Sequence, residues 1–254
     1  MPILQIGPLA LPVPALLILM GFWIGLDLTE KQASHFRVQP GPLYNMILVA
    51  ILAGIIGARL AYAARAPGAF LQSPLSLFSP TPQMLDAPGG ILIALLAAFI
   101  YIFARRMALW PTLDAATSLL SVLAVALGLA NLASGSSFGA PTNLPWSIDL
   151  WGEARHPTQV YETIAALLIA AAVWPGGRAA RHALAQPGFR LWIFLALSAF
   201  ARLLLETFRG DSLLLTNTFR AAQLIAWLVL AISLWQIGKR LQPPAPAPSQ
   251  EEAA

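Results

Sequence analysis

The chain contains no cysteine among its 254 residues. That excludes disulfides, a thiolate nucleophile and every cysteine-based metal site. Histidine is scarce: His35, His156 and His182 are the only three. So few imidazoles, so widely spaced, do not suggest a dedicated metal centre, and no metal or organic cofactor is expected. Charge is also scarce, at 10% of residues, against roughly 25% in soluble domains. No basic residue precedes the first apolar run, which argues against a cleavable signal peptide. What dominates is hydrophobicity, at 58% of the chain. Such a chain cannot cover itself with polar surface, so its solvent is lipid.

Taking roughly 20 apolar residues per bilayer crossing, the pattern predicts an all-α, polytopic membrane protein with about seven transmembrane helices. The expected spans are Leu9 to Leu28, Leu43 to Ala64, Pro88 to Phe103, Leu113 to Leu132, Pro157 to Trp174, Leu191 to Phe208 and Thr218 to Ile237. Pro12 and Pro14 fall in the opening turns of the first, where proline does least harm. The stretch from Arg65 to Ala87 reads as a loop with room for one short interfacial helix. Ala133 to Arg155 reads as a Gly/Ser/Pro/Asn-rich loop whose Trp146 and Trp151 suit a membrane interface. Residues 1–241 form one transmembrane domain, and 242–254 a disordered, Pro/Ala-rich tail.

With the N-terminus outside, the inner loops hold Lys31, Arg37, Arg105, Arg106, Arg178, Arg181, Arg190, Lys239 and Arg240. The outer side holds only Arg65, Arg155, Arg209 and Arg220. Nine against four predicts the N-terminus outside and the C-terminus cytoplasmic. These basic residues flank membrane spans and form no stripe, so nucleic acid is not an expected partner.

The polar residues inside the spans then gather on the outer side. They include Arg59 and Tyr62, Asn131, His156, Gln159, Tyr161 and Glu162, Arg202, Glu206 and Arg209, and Arg220. Ionisable groups in hydrocarbon are costly, so they mark a site or a paired structural contact. Arg202, Glu206 and Arg209 recur at helical spacing and share one face. They read either as an ion-paired strip or as part of a polar cavity. Arg59 with Tyr62 reads as substrate-binding or as a helix–helix contact. His156 stands where an N-cap would, with Pro157 in the first helical turn. Gly89-Gly90 suits close helix packing. Several arginines at this depth suit a phosphate, since guanidinium is permanently charged and presents a planar fork of donors. A phospholipid headgroup is the natural anion there.

His156-Pro157-Thr158-Gln159-Val160-Tyr161-Glu162 resembles the His-Pro-Ser-Gln-Leu-Tyr-Glu motif of bacterial prolipoprotein diacylglyceryl transferases. Arg202-Leu203-Leu204-Leu205-Glu206-Thr207-Phe208-Arg209 is similar to that family's Arg-x-x-x-Glu-Phe-Phe-Arg segment. Gly57-Ala58-Arg59-Leu60-Ala61-Tyr62 is similar to its Gly-x-Arg-Leu-x-Tyr segment. The resemblance implies transfer of diacylglyceryl from phosphatidylglycerol to the cysteine thiol of a lipobox-bearing preprolipoprotein, at the bacterial inner membrane and without a metal. It implies a catalytic set of His156, Glu162 and Arg202, with Arg202 on the phosphate-bearing headgroup. Arg59, Tyr62, Asn131, Gln159, Tyr161, Glu206, Arg209 and Arg220 would bind substrate. Three positions depart from the pattern. The family's arginine and glutamate near the end of the fourth span fall at Gly128 and Ser136, and its histidine before Gly-Gly falls at Pro88. A relative that has lost the transfer chemistry and binds phospholipid or lipoprotein as an accessory is the alternative reading. A weaker resemblance links Ala133-Ser134-Gly135-Ser136 to the Gly-x-Ser-Gly of rhomboid proteases, with His156 as base.

Overall fold

The computed structural model describes residues 3–6, 9–65, 67–68, 84–175, 186–212 and 220–242. Among these, seven α-helices dominate: α1 (Val13–Ala33), α2 (Pro40–Arg65), α3 (Ala87–Ala104), α4 (Leu109–Ser134), α5 (Thr158–Ala172), α6 (Phe189–Leu205) and α7 (Ala221–Leu241). All but α5 are long and apolar enough to cross a bilayer. The apolar runs were therefore read correctly as helices, with shifted ends. The first is corrected most: Leu9–Pro12 pairs as strand β2 with Ile3–Ile6 (β1), and α1 starts only at Val13. Pro12 thus lies before the helix, where its fixed φ and missing N–H cost no helical hydrogen bond. Residues 69–83, most of the expected loop with its interfacial helix, lie outside the described residues, as do 243–254 of the expected tail.

The chain divides into two compact units, Leu26–Leu119 and the combination of Met1–Gly25 with Leu120–Ala254. In the first, α2 and α3 meet through small residues. A Cβ on Gly57 would lie 2.5 Å from Ile93 Cβ, and one on Gly90 would lie 2.8 Å from Ala58 Cβ. Gly89-Gly90 therefore serves close packing, as its composition suggested. Asp86 caps α3, its Oδ1 accepting from Gly89 N at 2.7 Å. Pro88 sits in the first turn that follows, where no N–H is needed.

In the second unit α5 packs on α6. Thr158, Gln159, Thr163, Ala166 and Ile169 of α5 are buried, as are Phe194, Ala196 and Ala199 of α6. The segment from 135 to 155 is more ordered than its composition suggested. Gly135 takes a left-handed conformation (φ +73°) just past α4, where glycine ends a helix without Cβ strain. Ile148–Leu150 (β3) and Glu153–Arg155 (β4) form a hairpin, and both turn residues, Trp151 (φ 55°) and Gly152 (φ 81°), have positive φ. That matches the two-residue turn favoured by strand twist. Trp151 tolerates this conformation because its ring is held. It stacks edge-on to Phe138 at 4.8 Å, with the Arg155 guanidinium 5.9 Å from its centroid and 5.1 Å from that of Phe138.

Candidate functional site

Single backbone bridges extend the hairpin into a four-segment patch. Pro141 pairs with Arg155, and Gly139 pairs with Arg209 just after α6. Ala140 N donates to Phe208 O at 2.8 Å, Gly210 N to Phe138 O at 2.9 Å, and His156 N to Ala140 O at 3.0 Å. His156 and Arg209, 53 positions apart in sequence, are thus set on one backbone frame. Gly139 makes this possible. Any Cβ there would overlap the His156 backbone, so only glycine lets the two segments meet.

On this frame the charged residues meet. Glu162 Oε1 accepts from Arg209 Nη1 at 2.8 Å and from Arg202 Nη1 at 3.2 Å. Arg202 Nε lies 2.9 Å from Glu206 Oε2, and Arg209 Nε lies 3.9 Å from the same oxygen. Neither contact aligns as a hydrogen bond, so this buried oxygen has charge neighbours but no aligned donor. Asp211 completes the group, taking Arg209 Nε and Nη2 at 3.0 and 2.9 Å. The ion-paired strip is present, and it recruits Glu162 from α5. Burial opposes the charge on Arg209, but Glu162, Asp211 and Glu206 outweigh it and raise its pKa. Arg209 is a fixed cation. Its side chain is only 10% exposed, against 38% for Arg202, so Arg202 is the more accessible.

Below the charges lies a cavity of about 300 Å³. Its walls come from α4, α5 and α6, and they are apolar except for Glu162, Ser198 and Arg202. Gly128 is part of the wall. A Cβ there would overlap Thr163 Oγ1 and stand 3.1 Å from Thr163 Cα. The close approach of α4 to α5 thus excludes any side chain at the position where the family pattern has arginine. Thr163 is tied in place, its Oγ1 donating to Gln159 O at 2.7 Å.

His156 is not the helix cap expected from the sequence. Pro157 occupies that position, without a side-chain cap hydrogen bond, and α5 begins at Thr158. The first turn is instead anchored by side chains. Thr158 Oγ1 donates to Ser137 O at 2.7 Å and Gln159 Nε2 to Ser136 O at 3.0 Å. Gln159 is completely buried, so its amide fastens the loop after α4 to α5. The His156 ring packs on Phe208 at 5.1 Å and Tyr161 at 6.4 Å, and its buried Nδ1 has no hydrogen-bond partner. Tyr161 OH accepts from Trp146 Nε1 at 2.8 Å.

Two expected residues are not joined to this network. Asn131, in the last turn of α4, gives its carbonyl to Ser134 Oγ at 3.1 Å. Arg220 precedes α7, and its buried Nη1 has no hydrogen-bond partner among the described residues. Arg59 and Tyr62 belong to the other unit. There Arg59 is buried and donates from Nη1 to Met84 O at 3.3 Å, fastening the chain before α3 to α2. Ser134 Oγ also accepts from Ser136 N at 3.2 Å, so it serves as a helix-end hydroxyl with no imidazole bonded to it. That leaves the serine-hydrolase resemblance without its Ser–His pair. Among the described residues no group of three or more His, Asp or Glu could hold a metal ion.

Sequence reasoning placed Trp146 only at a membrane interface, and it missed Asp211 and the cavity wall. Only the wall left a signal: Ala165, Ala166 and Ile169 on α5, and Ser198, Ala201, Arg202 and Leu205 on α6, recur at helical spacing.

Sequence comparison with known proteins places the chain in a family. A sequence profile described as prolipoprotein diacylglyceryl transferase matches residues 2–238. A protein of Gloeobacter violaceus named phosphatidylglycerol–prolipoprotein diacylglyceryl transferase is 30% identical over 263 residues, covering 94% of this chain and 93% of its own length. One of the same name from Nostoc sp. is 28% identical over 246 residues, covering 91% and 86%. A third, from Thermus thermophilus, is 33% identical over 142 residues, covering 56% and 51%. With the profile spanning nearly all of it, the chain belongs to the prolipoprotein diacylglyceryl transferase family.

Proposed function

We propose that the protein transfers the diacylglyceryl group of phosphatidylglycerol to the cysteine thiol of a lipobox-bearing preprolipoprotein. The observation that carries this is the Glu162 carboxylate bridged by Arg202 and Arg209 at the head of an apolar cavity. It has the layout of a lipid: charge at one end, hydrocarbon at the other. The acceptor sulfur attacks the glycerol carbon that carries the phosphate ester. A carbon–sulfur bond forms, the carbon–oxygen bond breaks, and its electron pair leaves on glycerol phosphate. Arg202 holds the phosphate through the transition state, where an aimed cation counts most. Glu162 and Glu206 orient both guanidiniums. His156, the imidazole on this frame, takes the thiol proton. Arg220, Asn131, Gln159 and Tyr161, in the same unit, complete the substrate contacts or support them.

The protein spans the bacterial inner membrane seven times, with its N-terminus outside, its C-terminus cytoplasmic and residues 242–254 as a disordered tail. Although α5 is short, it counts as a crossing. Its first turn is tied to Ser136 beyond α4, and Arg190 at the start of α6 donates to Val173 O at 2.7 Å beyond its last. Ties at both ends to the neighbouring helices support this reading.

The closed space at Gly128 favours the second reading, an accessory relative that binds lipid without transfer. The two separate on product chemistry. Incubated with phosphatidylglycerol and a lipobox peptide, a transferase releases glycerol phosphate in step with thioether peptide, and neither when the peptide cysteine is serine. Lipid binding without either product supports the accessory.

A further inference from the structure

The charged residues occupy one end of the cavity only. At the other end the lining stops at Ala124 of α4, Ile169 of α5 and Phe194 of α6. Ile169 and Phe194 join Val173 in a buried cluster, with Ile193, Leu195 and Leu197 packed around it. The cluster is a floor. From Glu162 to Ile169 the helix rises about 10 Å, and from Phe194 to Arg202 about 12 Å. One leaflet of bilayer hydrocarbon is about 15 Å deep, half of the roughly 30 Å core. The bore is therefore shorter than a chain that fills a leaflet. Its walls are small-sided at Gly128, Ala165, Ala166, Ser198 and Ala201, and Phe194 is the largest side chain at its far end.

We propose that this cavity is an acyl-chain ruler: Phe194, seated with Ile169 on the buried cluster, limits the length of donor chain held below Glu162 and Arg202. The occupant named here, one acyl chain of the donor lipid, rests on the transferase reading. Phe194 touches only the chain's end and takes no part in the reaction. A chain that fits is sheltered along its whole length. A longer one must fold back or leave sideways, and loses contact with the wall.

The test is a competition. The full-length protein receives an equal mixture of dilauroyl, dimyristoyl, dipalmitoyl and distearoyl phosphatidylglycerol with a lipobox peptide. Mass spectrometry then reads the chains on the peptide and, separately, on the lipid retained by the protein. The expected result is wild-type preference for the shorter donors. Phe194→Ala shifts the preference toward longer chains by at least about tenfold, and Ala124→Leu shifts it toward shorter ones. Phe194→Leu gives the same direction in smaller measure if the alanine variant does not fold. Transfer with one unchanged chain profile in every variant overturns the ruler while leaving the transferase intact. No transfer but length-selective retention that follows the variants overturns the transferase reading and supports the ruler. Neither transfer nor selective retention overturns both.

Discussion

Arg202 and Arg209 make the same kinds of contact yet have different work. Arg209 is nearly enclosed by three carboxylates and anchored by its backbone to Gly139, so it is part of the scaffold. Arg202 shares Glu162 and Glu206 but keeps an exposed side and lines the cavity. Arg202→Ala is expected to lower kcat/KM on the order of 10²–10³-fold with little loss of melting temperature. Glu206→Ala does the opposite first. This carboxylate is 1% exposed, but without it Arg202 keeps Glu162 and Arg209 keeps Glu162 and Asp211, so about 1–2 kcal/mol of stability is lost in chemical or thermal unfolding. Arg209 also makes a prediction about pH. A cation whose folded pKa is raised contributes fully at every pH below its unfolded value, and loses that contribution only as pH rises through the folded value. An arginine already titrates far above neutral pH when unfolded, and the carboxylates around Arg209 raise it further. The stability gap between wild type and Arg209→Ala is therefore flat between about pH 6 and 9, measured as melting temperature in one detergent. A gap that closes across that range would assign the titration to another group.

At the scale of elements the small residues decide. Gly139 lets the 138–141 segment lie against His156, and Gly128 lets α4 close on α5. Gly139→Ala is expected to displace the His156 backbone, because the clash is with backbone that cannot rotate away. Activity falls more than stability in that variant. Gly128→Arg restores the family's residue type but has no room, and overpacking costs about 1–3 kcal/mol. It is expected to lower the melting temperature without raising activity. A gain in activity would mean that α4 and α5 part easily. The helices themselves were legible because each is a long apolar run, and the Arg202–Glu206–Arg209 face because it follows helical spacing. The patch joining residues 138–141, 155 and 209 was not. It is made of one-residue bridges between segments distant in sequence, and no local periodicity records such pairing. The same limit hid the Gly128–Thr163 contact, which turns an apparently missing arginine into a packing requirement. His156 was misread as a cap because a histidine before proline satisfies the local rule, while the actual anchoring comes from Thr158 and Gln159 to carbonyls more than 20 residues earlier.

For the molecule as a whole, composition alone set the solvent, and the apolar runs located the helices among the described residues. Orientation rests on the distribution of fifteen basic residues. The absence of cysteine makes that directly measurable, since any single cysteine introduced is the only thiol present. A cysteine at Asp149 or Gly152 is expected to react with an impermeant maleimide added outside intact cells, and one at Arg105 only after permeabilisation. The reverse pattern would invert the topology. Transfer with Arg202 as the phosphate-binding cation is expected of this chain despite the glycine at position 128. The measurement that tests it most directly is transfer of labelled diacylglyceryl from phosphatidylglycerol to a lipobox peptide by the purified protein, with Arg202→Ala and His156→Ala beside it. Label on the peptide that is lost with Arg202→Ala, and strongly reduced with His156→Ala, is the predicted result. No label on the peptide, with phosphatidylglycerol still bound, would contradict it and leave a lipid-binding relative that kept the cavity without the reaction.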